Sequence, residues 1–288
     1  MRKRRIVSFS ALSFSLLSIG LCSFSVHASE IPATNTKRID EIVDFKQTNP
    51  KANFPGDGSD FCAPTALSDH LLWLGNHGYP KLVPAAADAD ATQISLIKTL
   101  ASADFMGTDP ATGTSPLQIM RALKKYVESC GYQVKSLSYE GFRPSAKPFE
   151  TGVLTPDLSW LKSGSLAPKA CLLNIGWYKW DEATDTYTRT GGHWVALVGY
   201  GVDAAGKPSP DTIIVHDPLP RFGTDKTNVY ISLQKVTSGQ LTGEYKGLPR
   251  DANGFYWYQS YTNGQKERSL ANYGLIDGGI ILELAAAE

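Results

Sequence analysis

The chain has 288 residues, of which 42% are hydrophobic and 19% are charged, an ordinary composition for a folded globular protein. Its 28 basic residues balance its 28 acidic residues, so we do not expect nucleic acid as a partner, because phosphate binding needs a basic surface. The length allows one large domain with a substantial core.

The first residues have the three parts of a secretory signal peptide. Basic MRKRR precedes the apolar, serine-rich run IVSFSALSFSLLSIGLCSFS, and VHA before Ser29 is a small-residue cleavage site. Cleavage after Ala28 leaves 24 basic and 28 acidic residues, a net charge of −4. We expect a secreted or periplasmic protein without a stable membrane anchor, because serines dilute the run and no later segment has about 18 uninterrupted apolar residues.

The rest of the chain divides at a change in composition. Residues 29–50 are polar and irregular and are interpreted as a lead-in segment, and residues 51–288 are predicted to form one domain. The domain opens with the Pro/Gly/Asp-rich loop KANFPGDGSD, which is typical of a turn. The chain has no internal repeat and no low-complexity block.

Helical patterns fill the first part of the domain. Apolar residues recur at helical spacing over 62–75, 92–106 and 115–132. Ser115 is expected to cap the third helix, with Pro116 at its first position, where the missing N–H costs nothing.

Strand patterns fill the second part of the domain. A short helix in LSWLKSGSLA accompanies the predicted strands YQVKSLSYEG, ACLLNIGWYKWD, HWVALVGYGV, DTIIVHD, NVYISLQKV and GIILELA, whereas YWYQSYTNGQKERSL is ambiguous. This order, with helices first and strands later, predicts an α+β fold in which N-terminal helices pack against a C-terminal antiparallel β-sheet.

Three cysteines remain after the leader, namely Cys62, Cys130 and Cys171. An odd number in an oxidising compartment leaves one thiol unpaired, and three pairings are open. We favour a Cys130–Cys171 disulfide, because disulfides persist in such compartments. This pairing leaves Cys62 as a free thiol.

Cys62 begins the first predicted helix. A helix N-terminus has unpaired N–H groups and a partial positive charge, and both favour a thiolate. Pro64 fits the first helical turn. A buried structural cysteine is the alternative for this residue type, and the flanking polar loop argues against full burial.

Two further candidates lie about 130 and 155 residues downstream. His193 follows a Gly-Gly pair, which would let the chain turn sharply, and leads a strand that is apolar on both faces, a rigid place for a base. Asp217 ends the next strand, and if the two strands are neighbours its carboxylate can reach the imidazole and fix its tautomer. His216 should point to the other side and is interpreted as structural. Trp177, Trp180 and Trp194 are interpreted as core residues rather than as cleft walls.

The order of these segments resembles a known family. FCAPTAL, GGHWVALVGYG and VHDP resemble the three motif blocks of papain-like cysteine peptidases, in the branch similar to the bacteriocin-leader-processing (double-glycine) peptidases. The resemblance covers about residues 50–220 and implies a papain-like fold. It implies Cys62 as the nucleophile, His193 as the general base and acid, and Asp217 as the residue that orients the histidine. The backbone N–H of Cys62 would donate to the oxyanion.

The chain departs from this family at two positions. Ala63 replaces the usual glycine after the cysteine, and Gly56 stands where the family has an oxyanion-binding glutamine, six residues before the cysteine. Losing one oxyanion donor costs on the order of 100–1,000-fold in rate. Asn53 is the candidate replacement.

We therefore predict an exported thiol hydrolase that cleaves peptide or isopeptide bonds in a peptide or protein substrate through a thioester intermediate. Two alternatives remain open, a catalytically impaired papain-like binding module and a transglutaminase-type acyltransferase. No cofactor is expected, and no metal, because the candidate residues lack the short paired spacings of zinc sites.

Overall fold

The computed structural model describes residues 31–143, 147–219, 227–243, 250–258 and 272–286. The predicted signal peptide, residues 1–28, lies outside them. Within these ranges the helices are α1 Cys62–Asn76, α2 Ala89–Ala101, α3 Pro116–Ser129 and α4 Leu158–Gly164. The strands there are β1 Val134–Gly141, β2 Lys169–Asp181, β3 Thr186–Val202, β4 Pro208–His216, β5 Val229–Lys235, β6 Gln240–Thr242, β7 Arg250–Asp251, β8 Tyr256–Tyr258 and β9 Asn272–Leu284. None of the helices in this described part is long and apolar enough to cross a membrane.

The helices begin where their capping residues place them. Ser115 caps α3 in a capping box with Gln118, as the sequence predicts for the N-terminus of this helix. Helix α2 begins three residues before its predicted start, because the Asp88 carboxylate accepts a hydrogen bond from the N–H of Ala91 at 2.8 Å. The three predicted N-terminal helices are therefore confirmed, with shifted ends.

Six strands close into an antiparallel barrel. Strand β2 pairs with β3, β3 with β4, β4 with β5, β5 with β8, β8 with β9, and β9 with β2 again. Strand β1 adds to β9, β6 pairs in parallel with the start of β3, and β7 pairs with β6. Most of the regular structure is therefore sheet.

The predicted fold class, an α+β papain-like arrangement of helices against a sheet, is wrong. The sheet closes on itself, because β9 lies between β2 and β8 and joins the two ends of the strand series. The strand that completes the closure, β8, has only three residues and lies in the ambiguous segment YWYQSYTNGQKERSL. A pattern this short has no periodicity from which closure could be predicted.

The barrel wall has an apolar core on each side. Trp194 and Ala196 of β3 pack in the core formed with α1, whereas Val195 and Leu197, which alternate with them, belong to the core enclosed by the barrel. All four side chains are almost fully buried. The prediction that this strand is central and apolar on both faces is confirmed.

The predicted Cys130–Cys171 disulfide is wrong, since the three cysteines in the described part of the chain are all free thiols. Cys171 lies in the core enclosed by the barrel, whereas Cys130 lies at the end of α3 and packs against the core on the helix side. The barrel wall therefore separates the two sulfur atoms.

A buried ion pair joins β3 to β9. Arg189 Nε donates to Asp277 Oδ2 at 2.8 Å, and the hydroxyl of Tyr178 donates to Asp277 Oδ1 at 2.6 Å. Gly176 of β2 leaves space for this carboxylate, because a Cβ at that position would lie 2.4 Å from Asp277 Oδ1. This pair fixes the side of the barrel beside the candidate site.

His70 of α1 is buried behind β2 and hydrogen-bonded through Nε2 to the carbonyl oxygen of Cys171 at 2.9 Å. Burial, together with the charge of Arg38, lowers its pKa to about 3. The folded protein therefore keeps the ring neutral at a pH where the unfolded chain protonates it.

This shift predicts a loss of stability in acid. Because the pKa of His70 is about 3 in the folded state and about 6.5 in the unfolded chain, stability falls as the pH drops below about 6.5 and continues to fall toward 3. Between pH 7 and pH 4.5 the loss due to His70 is up to about 3 kcal/mol. Urea unfolding of wild type and His70→Gln at both pH values measures it. The wild type should lose more stability than the variant, and equal losses would contradict the assignment.

Candidate functional site

A cavity of about 710 Å³ opens at the N-terminus of α1. It is bounded by α1, the loop before it, the turn at residues 111–114, and strands β2 and β3. Its described lining residues are Thr48, Ser59, Asp60, Cys62, Ala111, Thr112, Gly113, Thr114, Pro116, Arg143, Asn174, Trp177, Arg189, Thr190, Gly191, Gly192, His193, Trp194 and Leu219. Two of the three predicted catalytic residues therefore line one cavity.

Cys62 is the first residue of α1 and lines this cavity, although its side chain is largely buried. Phe61 before it provides no side-chain cap, so the N–H groups of the first turn are not taken by a capping oxygen. The loop before it is tight, with positive φ at Gly56, Asp57 and Gly58. This local geometry presents the sulfur at the positive end of a helix dipole.

His193 lies within β3, opposite Ile175 of β2. The expected sharp turn at the Gly-Gly pair is absent from the described strand, because β3 runs without interruption from Thr186 to Val202. A side chain at Gly192 would collide with Arg189, since its Cβ would lie 2.3 Å from Nη2. Gly192 therefore makes room for Arg189 rather than turning the chain.

Asp217 is held against the imidazole. Its Oδ1 lies 2.6 Å from His193 Nε2 and also accepts the N–H of Leu219 at 3.0 Å. Strands β3 and β4 pair with Ala196 opposite His216, and this register continues with Asp217 opposite Val195, on the same face of the sheet as His193. The predicted neighbouring strands and the predicted reach of the carboxylate are confirmed.

The hydrogen bond decides the tautomer that the site favours. A carboxylate that accepts a proton from Nε2 leaves the Nδ1 lone pair as the basic position of the neutral ring. It also stabilises the imidazolium that forms when the ring takes a proton. The ring of Trp177 stacks near that of His193, with centroids 6.4 Å apart, and covers this basic group on one side.

The structure places Asn53 away from the cavity. Its side chain is exposed, its φ is +49°, and it is not among the residues that line the cavity. A different glutamine, Gln47, lies near the loop before Cys62 and is fully buried. Its Nε2 donates to the carbonyl oxygens of Gly58 and Ser59. Those bonds direct its amide N–H groups to the loop.

Some residues around the cavity carried no signal in the sequence. Thr48 belongs to the segment interpreted as a lead-in, and the turn at 111–114 has no residue pattern that indicates a site. Trp177 and Trp194 were interpreted as core residues, and each is both buried and part of the cavity wall. The alternation of apolar and polar residues does not separate these two roles.

The remaining candidate residues have structural partners. His216 is fully buried, with Nδ1 3.1 Å from the carbonyl oxygen of Val43 and Nε2 2.9 Å from Asn228 Oδ1, so the structural interpretation is confirmed. Among the described residues no group of three or more His, Cys, Asp or Glu side chains has the arrangement of a metal site.

A second charged pair lies behind Asp217. Lys46 Nζ donates to the Asp44 carboxylate and, at 3.3 Å, to the carbonyl oxygen of Asp217. Burial raises the pKa of Asp44, and the hydrogen bond from Lys46 opposes that shift. The backbone that carries Asp217 is therefore tied to the segment before the domain.

Comparisons of the chain with protein-family models, with the curated proteins and with solved structures gave no match. The interpretation of the cavity therefore depends on its own geometry.

This geometry predicts that one thiol reacts before the other two. Burial raises the pKa of Cys130 and of Cys171, which keeps both thiols protonated near neutral pH, whereas Cys62 lines the cavity beside a histidine. Brief treatment of the folded protein with iodoacetamide at pH 7, followed by peptide mapping, should find the label on Cys62. Label on Cys130 at an equal or higher level would contradict the prediction.

Proposed function

We propose that the protein is an exported thiol hydrolase that cleaves peptide or isopeptide bonds, with Cys62 as nucleophile, His193 as general base and acid, and Asp217 as the residue that orients the ring. The observation that carries the proposal is the 2.6 Å contact between Asp217 Oδ1 and Nε2 of His193, a residue that lines the same cavity as Cys62. The same order of residues gave the resemblance to papain-like peptidases, and that family assignment stays a prediction.

The first half of the reaction forms a thioester. The Cys62 thiolate attacks the carbonyl carbon of the substrate amide, and the C=O electron pair moves to oxygen as the C–S bond forms. Collapse of this tetrahedral species breaks the C–N bond, and the His193 imidazolium donates its proton to the leaving nitrogen. The amine product then leaves.

The second half of the reaction consumes water. His193, neutral again, takes a proton from a water molecule, whose oxygen attacks the thioester carbon. Breaking of the C–S bond releases the acid product and returns the thiolate and the imidazolium. The Asp217 carboxylate holds the same ring nitrogen through both halves, so the imidazole need not change its tautomer.

The N-terminus of α1 supplies the electrostatic part of the mechanism. Phe61 gives this helix no side-chain cap, so the N–H groups of Cys62 and Ala63 would stabilise the negative charge that develops on sulfur and on the substrate oxygen. Asn53 does not line the cavity. Ser59 and Thr48 line the same cavity and carry hydroxyl donors.

Kinetics of matched variants test the proposal. Hydrolysis of a quenched fluorescent peptide library by the mature protein should be abolished in Cys62→Ala and His193→Ala. It should fall by up to about 10,000-fold in Asp217→Asn, because the amide favours the wrong tautomer of the histidine. Burial of Asp217 makes a stability check necessary, so each variant is first compared with wild type by thermal unfolding.

The products separate this proposal from its alternatives. Acid products formed in water support a hydrolase, whereas amide products formed only with an added primary amine indicate an acyltransferase. No turnover of the library or of branched isopeptides by the wild type, with Cys62 no more reactive than Cys130, would contradict the proposal and favour a binding module.

A further inference from the structure

Gln47 connects the two halves of the candidate site, although it lies before the predicted domain. Its side chain is fully buried. Its backbone N–H donates to the carbonyl oxygen of Pro218 at 2.8 Å. Its side-chain Nε2 donates to the carbonyl oxygens of Gly58 at 2.8 Å and Ser59 at 2.7 Å.

Each of these acceptors lies within four positions of a predicted catalytic residue. Pro218 directly follows Asp217, and Ser59 precedes Cys62 by three positions. The carbonyl oxygen of Gly58 also accepts the N–H of Phe61 at 3.1 Å, and Phe61 is the residue from which α1 begins. One buried glutamine thus binds both the loop that precedes Cys62 and the segment that follows Asp217.

We propose that Gln47 is a positioning residue that sets the separation between Cys62 and the His193–Asp217 pair. The inference rests on the proposed function, since a separation matters only if the thiol and the imidazole act together. A displacement of about 1 Å between reacting groups can cost about 100-fold in rate. A hydrogen-bonded link of fixed length between the two loops would prevent such a displacement.

The donors of the contact suit this residue type, although its Oε1 is buried without a hydrogen-bond partner. Two acceptor oxygens face Nε2, which has two N–H donors. Glutamate would place a carboxylate against two carbonyl oxygens, and asparagine is one methylene shorter. The loop before Cys62 packs closely against the backbone of Gln47, because a Cβ at Gly58 would lie 1.8 Å from the carbonyl oxygen of Gln47.

The neighbouring residue strengthens the link on the carboxylate side. Lys46 Nζ donates to the carbonyl oxygen of Asp217 at 3.3 Å while it pairs with Asp44. Two consecutive residues of the lead-in segment therefore hold the backbone at Asp217 and Pro218. Only Gln47 among them also reaches the loop before Cys62.

Gln47→Met tests the link with little change in side-chain volume. The backbone bond to Pro218 remains possible, and only the side-chain bonds to Gly58 and Ser59 are lost. Gln93→Met is the matched control, because Gln93 is also buried and its Nε2 also donates twice, to Ser68 Oγ at 2.9 Å and to Asp69 Oδ1 at 2.6 Å. Thermal unfolding midpoints show whether both variants fold.

We expect Gln47→Met to lower kcat about 10- to 100-fold, with KM within about threefold of wild type. We also expect it to slow the alkylation of Cys62 by iodoacetamide at pH 6 about 10-fold, because the thiol is no longer held by the imidazole. Gln93→Met should lower the unfolding midpoint comparably and leave both rates near those of wild type.

Three results would overturn the inference, each for a different reason. Equal losses in both variants would mean that Gln47 only stabilises the fold. A lower kcat with unchanged alkylation would mean that Gln47 donates directly to the oxyanion, because alkylation forms no oxyanion. A wild-type Cys62 that reacts no faster than Cys130 would overturn the proposed function, and the inference with it.

Discussion

The antiparallel pairing of β3 with β4 is the constraint on which the candidate site depends. With Ala196 opposite His216, the residue after β4 falls on the same face of the sheet as His193, and the carboxylate of Asp217 meets Nε2 at 2.6 Å. A register shift of one residue would turn the side chains of β4 to the other face. Burial of Ile213 and Val215 inside the barrel prevents that shift, so the apolar core fixes the polar contact.

The rest of the fold brings the thiol to this pair. Helix α1 packs on the outer face of β3 through a core that includes Cys62, Trp194 and Ala196, which places the N-terminus of α1 at the cavity. Gly176 and Gly192 leave room for the buried Arg189–Asp277 pair, and that pair stiffens the barrel wall next to His193.

The features that the sequence predicted correctly are those that nearby residues determine. The start of α3 follows from Ser115, Pro116 and Gln118, and the two-sided burial of β3 follows from its apolar run. Closure of the sheet could not be predicted, because it depends on β8, which has only three residues, and on β9 pairing with strands far away in sequence. The disulfide prediction was wrong for a related reason, since only the tertiary structure shows that the sheet lies between Cys130 and Cys171. Gln47 carries no local signal, because its three hydrogen bonds all go to residues more than ten positions away.

The central claim is that the sulfur of Cys62 and the imidazole of His193 form one reactive pair. The most direct test is the second-order rate constant for alkylation of Cys62 by iodoacetamide at pH 6, measured in wild type and in His193→Ala. If the imidazole activates the thiol, the rate constant should fall about 10- to 100-fold when the ring is removed. Equal rate constants in the two proteins would contradict the account.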